Sequence, residues 1–511
     1  MNQIFLTPSQ AKRGTLSGMK ELRIRRWLGG IFVAAALVAG AQGQATGTTT
    51  SGPSLSTPLY SGASSSIMLS PQSPYSGSVP QGKATADVLP VSFKDAIDRG
   101  LRNNLGVLLQ SDNEISARGQ RWKELSELLP NVTTSTTQSA EQIDLAELGL
   151  RFNFPGVPRV VGPIGVFQTG VYLQQTVLSL NSINKVRSAS AQQRAARFSY
   201  QDARDVVVLA TGNAYLETIA DAAGVDTATA QVATAQRLFD KTDDQRKAGI
   251  SPAIDALRAK VELQTRQQQL IAAKNDLAKQ KLVLARIIGL PPGQLFELTD
   301  KAPYAPLTAM SVDEALKRAY TSRADYLAAE QQVLAAEFTK KSAAAEYYPT
   351  IDLAGDYGDA GVNVGNSHGV FQVGATLNIP IFQGGKVHGD VLQADATLKQ
   401  SRQQLDSLRA QIDSDVRTAM LDLQSAAEQV EVARSSIDLA NQTLEQAQDR
   451  FNAGVTDNLE VVQAQESVAT ANANYISSLY AHNLAKVSLA RAMGFAEEGV
   501  KLYLESNDLS K

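Results

Sequence analysis

The sequence contains no cysteine, which excludes a disulfide framework, a thiolate metal site and a lipid anchor on an N-terminal cysteine. Histidine is nearly absent too: His368, His388 and His482 are the only ones, and their spacing is not that of a metal site. The formal net charge of −3 is too small to favour nucleic acid or acidic lipid. We therefore expect no cofactor, no metal and no nucleic-acid partner.

Catalytic motifs are also missing. Residues 383–387 read Gln-Gly-Gly-Lys-Val, which lacks the first glycine and the Ser or Thr of a phosphate-binding loop. No Ser or Asp stands beside a plausible general base in the sequence. The expectation is that this chain is not an enzyme.

Long hydrophobic runs occur only near the N-terminus. A basic region that ends at Arg26 is followed by the apolar residues 27–39, and Ala39-Gly40-Ala41 has the form of a cleavage site. This pattern predicts a signal peptide over residues 1–41, with Met19 as a possible true start and a retained membrane anchor as the alternative. Residues 42–91 are rich in Ser, Gly, Thr and Pro and predict a disordered linker. A membrane role for the rest of the chain would have to use β-strands.

What the sequence does contain is a tandem repeat. Residues 92–130 recur as residues 311–349, an offset of 219, and the turn at 247–251 recurs at 452–456, an offset of 205. The first copy therefore has a loop that is longer by 14 residues. A repeat of this length indicates two halves of one fold, and we assign residues 92–301 to the first repeat and 302–511 to the second.

Each repeat predicts the same series of elements. A helix that breaks near its first third ends at a proline, two strands follow, and a long helix without proline is followed by a shorter return helix. In the second long helix, apolar residues from Leu405 to Phe451 keep the 3/4 spacing of a coiled coil. The predicted strands are 131–137, 167–177, 350–358 and 371–381; the predicted long helices are 182–247 and 386–452; and the return helices are 252–288 and 457–493.

The strand at 371–381 is the most regular, because Phe371, Val373 and Ala375 alternate with Gln372 and Gly374. An apolar face on a strand of this length fits either a membrane-spanning barrel or a soluble sheet over a core.

Helix lengths suggest how the elements fit together. At 1.5 Å per residue a long helix measures about 100 Å, a return helix about 55 Å, and the helix before the first strand about 36 Å. The two shorter helices stacked end to end therefore match the long one, and their joint forms a belt. Four strands per chain do not close a barrel, and open edges are not tolerated in lipid, so several chains are required.

The order of these features resembles the TolC-like outer-membrane efflux proteins, also called outer membrane factors. The resembling residues are the strand-to-helix entry Pro380-Ile381-Phe382-Gln383-Gly384-Gly385, Tyr347-Tyr348-Pro349, the two Gly turns, and the Ile-Gly and Met-Gly pairs at 288–289 and 493–494. They span residues 92–500.

The resemblance implies a mixed α and β fold. Its form is a homotrimer with a 12-strand transmembrane β-barrel that continues into a long periplasmic α-helical coiled-coil barrel. It also implies the function: an outer-membrane exit duct for an efflux or type I secretion system, which passively conducts substrates. The partners would be two further copies, outer-membrane lipid, a periplasmic adaptor and an inner-membrane pump. The alternative from the residues alone is a secreted coiled-coil spacer or adhesion protein; a periplasmic adaptor lacks support, since no compact β-domain flanks a helical hairpin.

The same resemblance assigns roles to the two helix turns. Gly249 and Ile250 in the first turn, and Gly454 and Val455 in the second, would contact the adaptor at the periplasmic tip. Gly at such turns is also simply what a helix end prefers.

Two acids follow the turns at equivalent positions. Asp255 and Glu460 match a place where the family has an acid near its constriction, and carboxylate rings favour cations. Our hypothesis is that Glu460 lines the constriction and Asp255 supports it. The alternative is that both are favourable charges in the first turn of a helix.

The sequence departs from the family at the gate. Phe451 stands where a tyrosine takes part in a closed-state latch, Thr456 where an arginine does, and Gln463 where a second pore acid does; Arg258 is the repeat partner of Gln463. Phenylalanine donates no hydrogen bond and threonine carries no charge. We therefore expect closure to depend on helix packing. The apolar loop 141–166 is assigned to the outer surface, as variable loop or as a contact.

Overall fold

The computed structural model of the chain describes residues 73–145, 149, 160–300 and 310–499. All of them belong to one compact unit, Ser64–Lys511. The proposed signal peptide, the alternative start at Met19 and the boundary between the repeats at 301/302 lie outside these residues. The elements of the first half are β1 (Leu89–Val91), α1 (Phe93–Asn103), α2 (Leu105–Ser126), β2 (Asn131–Asp144), β3 (Val160–Leu178), α3 (Leu180–Lys247), α4 (Ala253–Ile288) and β4 (Phe296–Leu298).

The second half repeats this order without its own copies of β1 and β4 in the described residues. The long and return helices lie within two residues of their predicted bounds, so the tandem repeat is confirmed as a structural one. Its elements are α5 (Val312–Ser322), α6 (Ala324–Ala345), β5 (Thr350–Gly361), β6 (Ser367–Asn378), α7 (Lys386–Asn452) and α8 (Asn458–Ala492).

Each half begins with the same helix start. Ser92 and Ser311 accept a hydrogen bond at Oγ from the backbone N–H three residues on, and the carboxylate at that position, Asp95 or Glu314, accepts one from the backbone N–H of the cap residue. Such a capping box satisfies two N–H groups that a helix start otherwise leaves open. The repeat is thus encoded in local chemistry as well as in element order.

The four longer strands form an antiparallel sheet in the order β2–β3–β5–β6, with β2 and β6 at its edges. The first hairpin is longer than predicted, and the expected loop 141–166 was wrong at both ends: residues 141–144 belong to β2 and residues 160–166 to β3. Thr, Ser and Gln on β2 extend the ladder as well as apolar residues do, because backbone bonds rather than burial hold this ribbon. Residues 146–148 and 150–159 of that loop lie outside the described residues.

The strand predicted at 371–381 was also shifted. β6 runs from Ser367 to Asn378 and pairs with β5 along its whole length. Residues 379–381 follow the strand, since Pro380 has no N–H to donate to a ladder.

The helices pack against one another in a layer. α3 packs against α2 along one part of its length and against α4 along the rest, and its other side packs against α6 and then α8; α7 packs against α6 and α8. The short helices are therefore stacked in pairs beside the long ones, as their lengths predicted. The order across the layer is α2/α4, α3, α6/α8, α7.

At the joints between stacked helices, a glycine lies too close to the neighbouring chain segment to carry a side chain. At Gly289, which ends α4, a Cβ would stand 2.7 Å from the Cβ of Asn103 at the α1–α2 joint. At Gly494, just after α8, it would stand 2.5 Å from the backbone N of Arg323 at the α5–α6 joint. Both glycines have positive φ. The Ile-Gly and Met-Gly motifs therefore mark the places where a return helix meets the belt of its own half.

The predicted disordered linker was wrong over residues 73–91. The Asn104 Nδ2 donates to the carbonyl of Tyr75 across 2.8 Å, Gln81 N donates to the carbonyl of Gly289, and β1 pairs with β4 in parallel. Hydrogen bonds to distant residues, the buried Val91 and the core contacts of Tyr75 and Leu89 hold this segment, and none of these is visible in a composition rich in Ser and Gly. Residues 42–72 lie outside the described part.

The belt also holds buried charges, which the sequence did not predict. Arg491 of α8 pairs with Asp202 of α3, and Arg323 pairs with Asp325 and Asp415. Burial raises the pKa of Asp202 even though Arg491 lies beside it. Burial likewise raises the pKa of the neighbouring Asp205 to about 6.

Within the described ranges, no helix is both long and apolar enough to cross a membrane.

Candidate functional site

The turns between long and return helices have the same geometry in both halves. Gly249 has φ +71° and Gly454 has φ +72°. In the first turn Ile250 N donates to the carbonyl of Gln245 and Gly249 N to that of Arg246; the second turn repeats both bonds with Val455 and Gly454 as donors. This is a Schellman motif, in which a left-handed residue lets the last carbonyls of a helix find donors.

The residue directly after each turn glycine, Ile250 or Val455, is apolar and exposed. The exposed fraction is 76% for Ile250 and 70% for Val455. Ile254 and Leu257 continue this apolar strip on α4, and Leu459 continues it on α8. Apolar groups left open at the end of a helical hairpin are typical of a contact surface.

Near the turns, α3, α4, α7 and α8 share a small apolar core. It consists of Leu238 of α3, Ala259 of α4, Ala447 of α7, and Val461 and Ala464 of α8. Phe451 packs against this cluster, and the ammonium of Lys241 lies 5.4 Å from the centre of its ring. Lys241 also donates to the side chain of Asn452. Phe451 therefore takes part in the packing of the helices next to the two turns.

Polar contacts join the two turns as well, which the sequence argument missed. Asn458, fully buried, donates from Nδ2 to the carbonyl of Asp255 across 2.7 Å. The Arg258 guanidinium lies 3.5 Å from Asp457 and 3.8 Å from Asp255. The only hint available was that Arg258 and Gln463 break the repeat at equivalent positions. The first turn of α4 is therefore tied to the first turn of α8.

The two predicted acids differ in their surroundings. The Asp255 carboxylate is buried and accepts a bond from Ser251 Oγ across 2.9 Å. Glu460 is partly exposed, and its carboxylate lies 3.2 Å from Arg450 Nη1. Thr456 is half-buried at the second turn and Gln463 is exposed on α8. The structure thus brings Asp255 and Glu460 to the same end of the layer, with only Glu460 open to solvent.

A third polar contact between α4 and α8 lies two helical turns further along α4, at Arg266. Arg266 of α4 is 3% exposed and donates to Glu262 across 2.7 Å, to Gln269 across 2.9 Å and to Glu466 of α8. A buried guanidinium is stable only when its donors are satisfied. No periodicity in the sequence distinguished this residue from an ordinary surface arginine.

The strand-to-helix entry lies at the opposite end of α7. Gly384 and Gly385 have φ of +61° and +86°, and Gly385 is the N-cap of α7. Lys386 then pairs with Glu346, 2.6 Å away at the end of α6. The glycines let the chain leave β6, pass the half-buried Pro380, and turn directly into the long helix.

Followed through its register, the sheet sorts apolar from polar side chains most clearly in the hairpin of β5 and β6. In the hairpin of β2 and β3 the face that continues the apolar one also carries Thr134, Thr136, Gln138, Thr169 and Gln175. The apolar face includes Val132, Phe167, Val171, Leu173, Ile351, Leu353, Tyr357, Phe371, Val373 and Leu377, and the polar face includes Asn131, Thr133, Gln168, Gln174, Asp352, Asp356, Gln372 and Thr376.

Comparison with known proteins agrees with this architecture. A solved membrane protein from Pseudomonas aeruginosa superposes with a TM-score of 0.68 at 19% identity, over 81% of this chain and 95% of that one. The outer membrane protein VceC from Vibrio cholerae gives 0.66 at 18% identity, over 79% and 96%. In sequence, outer membrane protein TolC of Vibrio cholerae is 21% identical over 374 residues, 72% of this chain and 85% of the relative.

The family model described as outer membrane efflux protein matches residues 116–290 and again residues 315–495, one match in each structural repeat. Two matches in tandem cover well over half of the chain, with the hairpin, the long helix and the return helix inside each. The chain therefore belongs to the outer membrane efflux protein family.

Proposed function

We propose that three copies of this chain assemble into the outer-membrane exit duct of an efflux or type I secretion system. The duct passively conducts substrates that an inner-membrane pump and a periplasmic adaptor deliver, and the chain itself catalyses no reaction. Membership of the efflux family supports this role and favours it over a secreted spacer or adhesion protein.

The main observation in favour of this assembly is that the sheet and the helix layer have their unpaired edges on the same two sides of the chain. The sheet ends at β2 on one side and β6 on the other, while the helix layer ends at α2/α4 and at α7. α2 leads directly into β2 and β6 leads into α7, so the open strand and the open helices lie on the same side. Copies joined β6 to β2 and α7 to α2/α4 close both layers at once, by a head-to-tail contact that forms a ring. Three copies give about 12 strands, a number that membrane barrels use.

The sorted faces of the sheet support a position in lipid. With the apolar face outward, Phe371, Val373 and Leu377 contact hydrocarbon, and the polar face lines water. This is the alternation that transmembrane barrels require. In a soluble sheet the same apolar face would need a covering core, and all three of these side chains are exposed in the single chain.

The helix turns then lie at the periplasmic tip. Ile250 and Val455 beside the turn glycines Gly249 and Gly454 are proposed as adaptor contacts, since they are apolar and the most exposed of the apolar groups there. The constriction is proposed to be lined by Glu460 and supported by Asp255. Phe451, Thr456 and Gln463 complete the constriction, and Pro380, Gly384 and Gly385 form the entry from barrel to tunnel.

The first experiment is negative-stain microscopy of protein extracted by detergent from outer membranes. Threefold particles with a hollow shaft of about 100 Å, the length of α3 and α7 at 1.5 Å per residue, support the duct. Solid rods, or protein that needs no detergent, contradict it.

A matched pair of variants tests the membrane face. Val373→Arg places a charge on the apolar face, where it costs roughly 2–4 kcal/mol at mid-bilayer, and is expected to abolish outer-membrane assembly. Gln372→Arg places the same charge one residue away on the polar face and is expected to assemble. Equal assembly of both variants contradicts the assignment of the faces.

A further inference from the structure

We propose that each chain has a binding site for a small uncharged molecule between its two helical hairpins, α3–α4 and α7–α8. The molecule would carry an apolar ring and a hydrogen-bonding head such as a carboxamide. The site is a cavity of about 310 Å³ that is lined by residues of all four helices. Because these helices belong to one chain, the inference does not depend on the proposed ring.

The cavity lies between two levels at which the hairpins are joined. Near the turns, Leu238 of α3 and Val461 of α8 belong to the same apolar core. Further along, the Tyr480 hydroxyl of α8 donates to Asn213 of α3 across 2.7 Å. Between these levels a second cavity, also of about 310 Å³, is bordered by small residues that include Gly224, Ala228, Ala273, Ala469 and Ala473. Such small side chains leave space because they do not reach across from one helix to the next.

Three side-chain amides line the proposed site, and each comes from a different helix. They are Gln231 of α3, Asn441 of α7 and Gln465 of α8. No group in the described part of the chain forms a hydrogen bond with any of these three amides. Gln465 is only 8% exposed, and a buried amide without a partner carries a desolvation cost. An amide both donates and accepts, so a ligand with a donor and an acceptor of its own satisfies these groups.

The rest of the lining includes apolar side chains. Leu444 of α7, Val468 of α8 and Ala230 of α3 border the same cavity as the three amides. Small-molecule sites typically combine an apolar wall with a few polar groups that fix the orientation of the ligand. The lining therefore fits a molecule with an apolar ring next to its polar head.

The charges around the cavity favour an uncharged ligand. Arg266 borders it and is 3% exposed. Its guanidinium pairs with Glu262 across 2.7 Å and also with Glu466. A bound cation would lie near this buried guanidinium, whereas a bound anion would lie near its two carboxylate partners. Either ion would also lose its hydration without gaining a free partner of opposite charge.

Three fluorinated probes of the same shape test the ligand class. The probes are para-fluorobenzamide, which is neutral, para-fluorobenzoate, which is an anion, and para-fluorobenzamidine, which is a cation. Each is titrated into the purified full-length protein in detergent and followed by fluorine NMR, with protein-free micelles as the blank. We expect saturable binding of the amide, with an affinity about tenfold or more above that of either ion, because burying an unpaired charge is costly.

Two variants with the same substitution test the location. Ala230→Phe places a ring in the cavity and is expected to abolish saturable binding of para-fluorobenzamide. The control, Ala233→Phe, places the same ring at an exposed position of α3 that does not line the cavity, and is expected to bind as the original protein does.

A third variant tests the buried amide and does not fill the cavity. Gln465→Met keeps a side chain of similar length without a hydrogen-bonding group, and is expected to weaken binding of para-fluorobenzamide about tenfold. Circular dichroism shows which variants are folded, and Gln465→Met decides the location if Ala230→Phe is not.

Three results overturn the proposal. They are the absence of saturable binding of para-fluorobenzamide, binding of either ion as tight as that of the amide, and undiminished binding in folded Ala230→Phe or Gln465→Met. The titrations require neither a channel nor a ring of copies. Failure of the proposed function therefore leaves them unchanged, and appears instead in the microscopy described above.

Discussion

The guanidinium of Arg323 donates to Asp415 across 3.0 Å and thereby joins the α5–α6 joint to the long helix α7. The same side chain makes two bonds to Asp325, of 3.0 and 2.7 Å. Burial by itself would raise the pKa of Asp325, but the bonds and charge of Arg323 outweigh it and hold that pKa below its usual value. Arg323 therefore favours the ionised form of Asp325 at the belt.

We expect Arg323→Ala to destabilise the chain by about 3–5 kcal/mol, the cost of breaking a buried ion pair from one side. Thermal unfolding in detergent, followed by circular dichroism, measures the loss. Arg417→Ala is the control, since Arg417 only pairs with Asp413 on the open surface of a helix and is worth about 0.5 kcal/mol or less. Similar losses in the two variants would contradict the importance of the belt network.

The buried carboxylate of Asp205 predicts that the stability of the chain falls as the pH rises. Its pKa is raised to about 6 from 3.8 by burial, against the opposing charge of Arg491. The folded chain therefore holds a proton that the unfolded chain has released between about pH 4 and pH 6, and stability falls as the pH rises through that window. Above it the ionised carboxylate costs roughly 2–3 kcal/mol.

Asp205→Asn is accordingly expected to raise the unfolding temperature at pH 7.5 and to flatten the dependence between pH 4 and 6. Unfolding curves at a series of pH values measure both effects. Asp413→Asn, at an exposed carboxylate whose pKa is lowered by Arg417, should give neither. A native pH profile in Asp205→Asn would mean that burial of this carboxylate carries no cost.

Two glycines with the same backbone angle should respond differently to alanine. Gly249 and Gly494 have φ of +71° and +76°, so each substitution costs about 1–2 kcal/mol from backbone strain. At Gly249 no atom lies within 4 Å of the added Cβ, whereas at Gly494 the backbone N of Arg323 is 2.5 Å away and cannot move aside. We expect Gly249→Ala to lower the unfolding temperature slightly and Gly494→Ala to prevent assembly. If both variants lost the same stability, backbone strain alone would account for the effect of alanine at these positions.

We expect Glu460 to contribute to the preference of the proposed constriction for cations over anions. Its carboxylate faces Arg450, so Glu460→Gln leaves that guanidinium without its partner at the proposed constriction. In a salt gradient the reversal potential is expected to shift toward anions. The control, Glu428→Gln, lies far up α7 on an exposed face and should change nothing. An unchanged reversal potential in Glu460→Gln would remove this residue from the constriction.

The elements were predictable because each has a local signal. Proline at 130 and 349, the capping serines Ser92 and Ser311, and the turn glycines mark helix ends through chemistry that acts over a few residues. The 3/4 spacing on α7 likewise marked the buried stripe that includes Ile412 and Val416. The tandem repeat then linked the two halves without any knowledge of contacts.

The failures share one cause. The segment 73–91 is held by backbone hydrogen bonds to residues distant in sequence, such as the bond from Val79 N to the carbonyl of Asn103. The hairpin of β2 and β3 is likewise held by backbone bonds between its strands. The composition of both segments resembles that of a linker. Arg258 and Arg266 look like surface arginines until their partners Asp457 and Glu466, about 200 residues away, are brought beside them.

By itself the sequence determined the number, kind and order of the elements, the duplication, and the positions of the turns. Those properties depend on hydrophobic periodicity and on interactions between near neighbours, which a sequence records directly. Only the tertiary structure decided which helices lie side by side, which edges stay open, and which charges are buried. These properties depend on contacts between residues far apart in the chain. Two arginines in similar local sequences differ in their contribution to stability when distant segments bury only one of them.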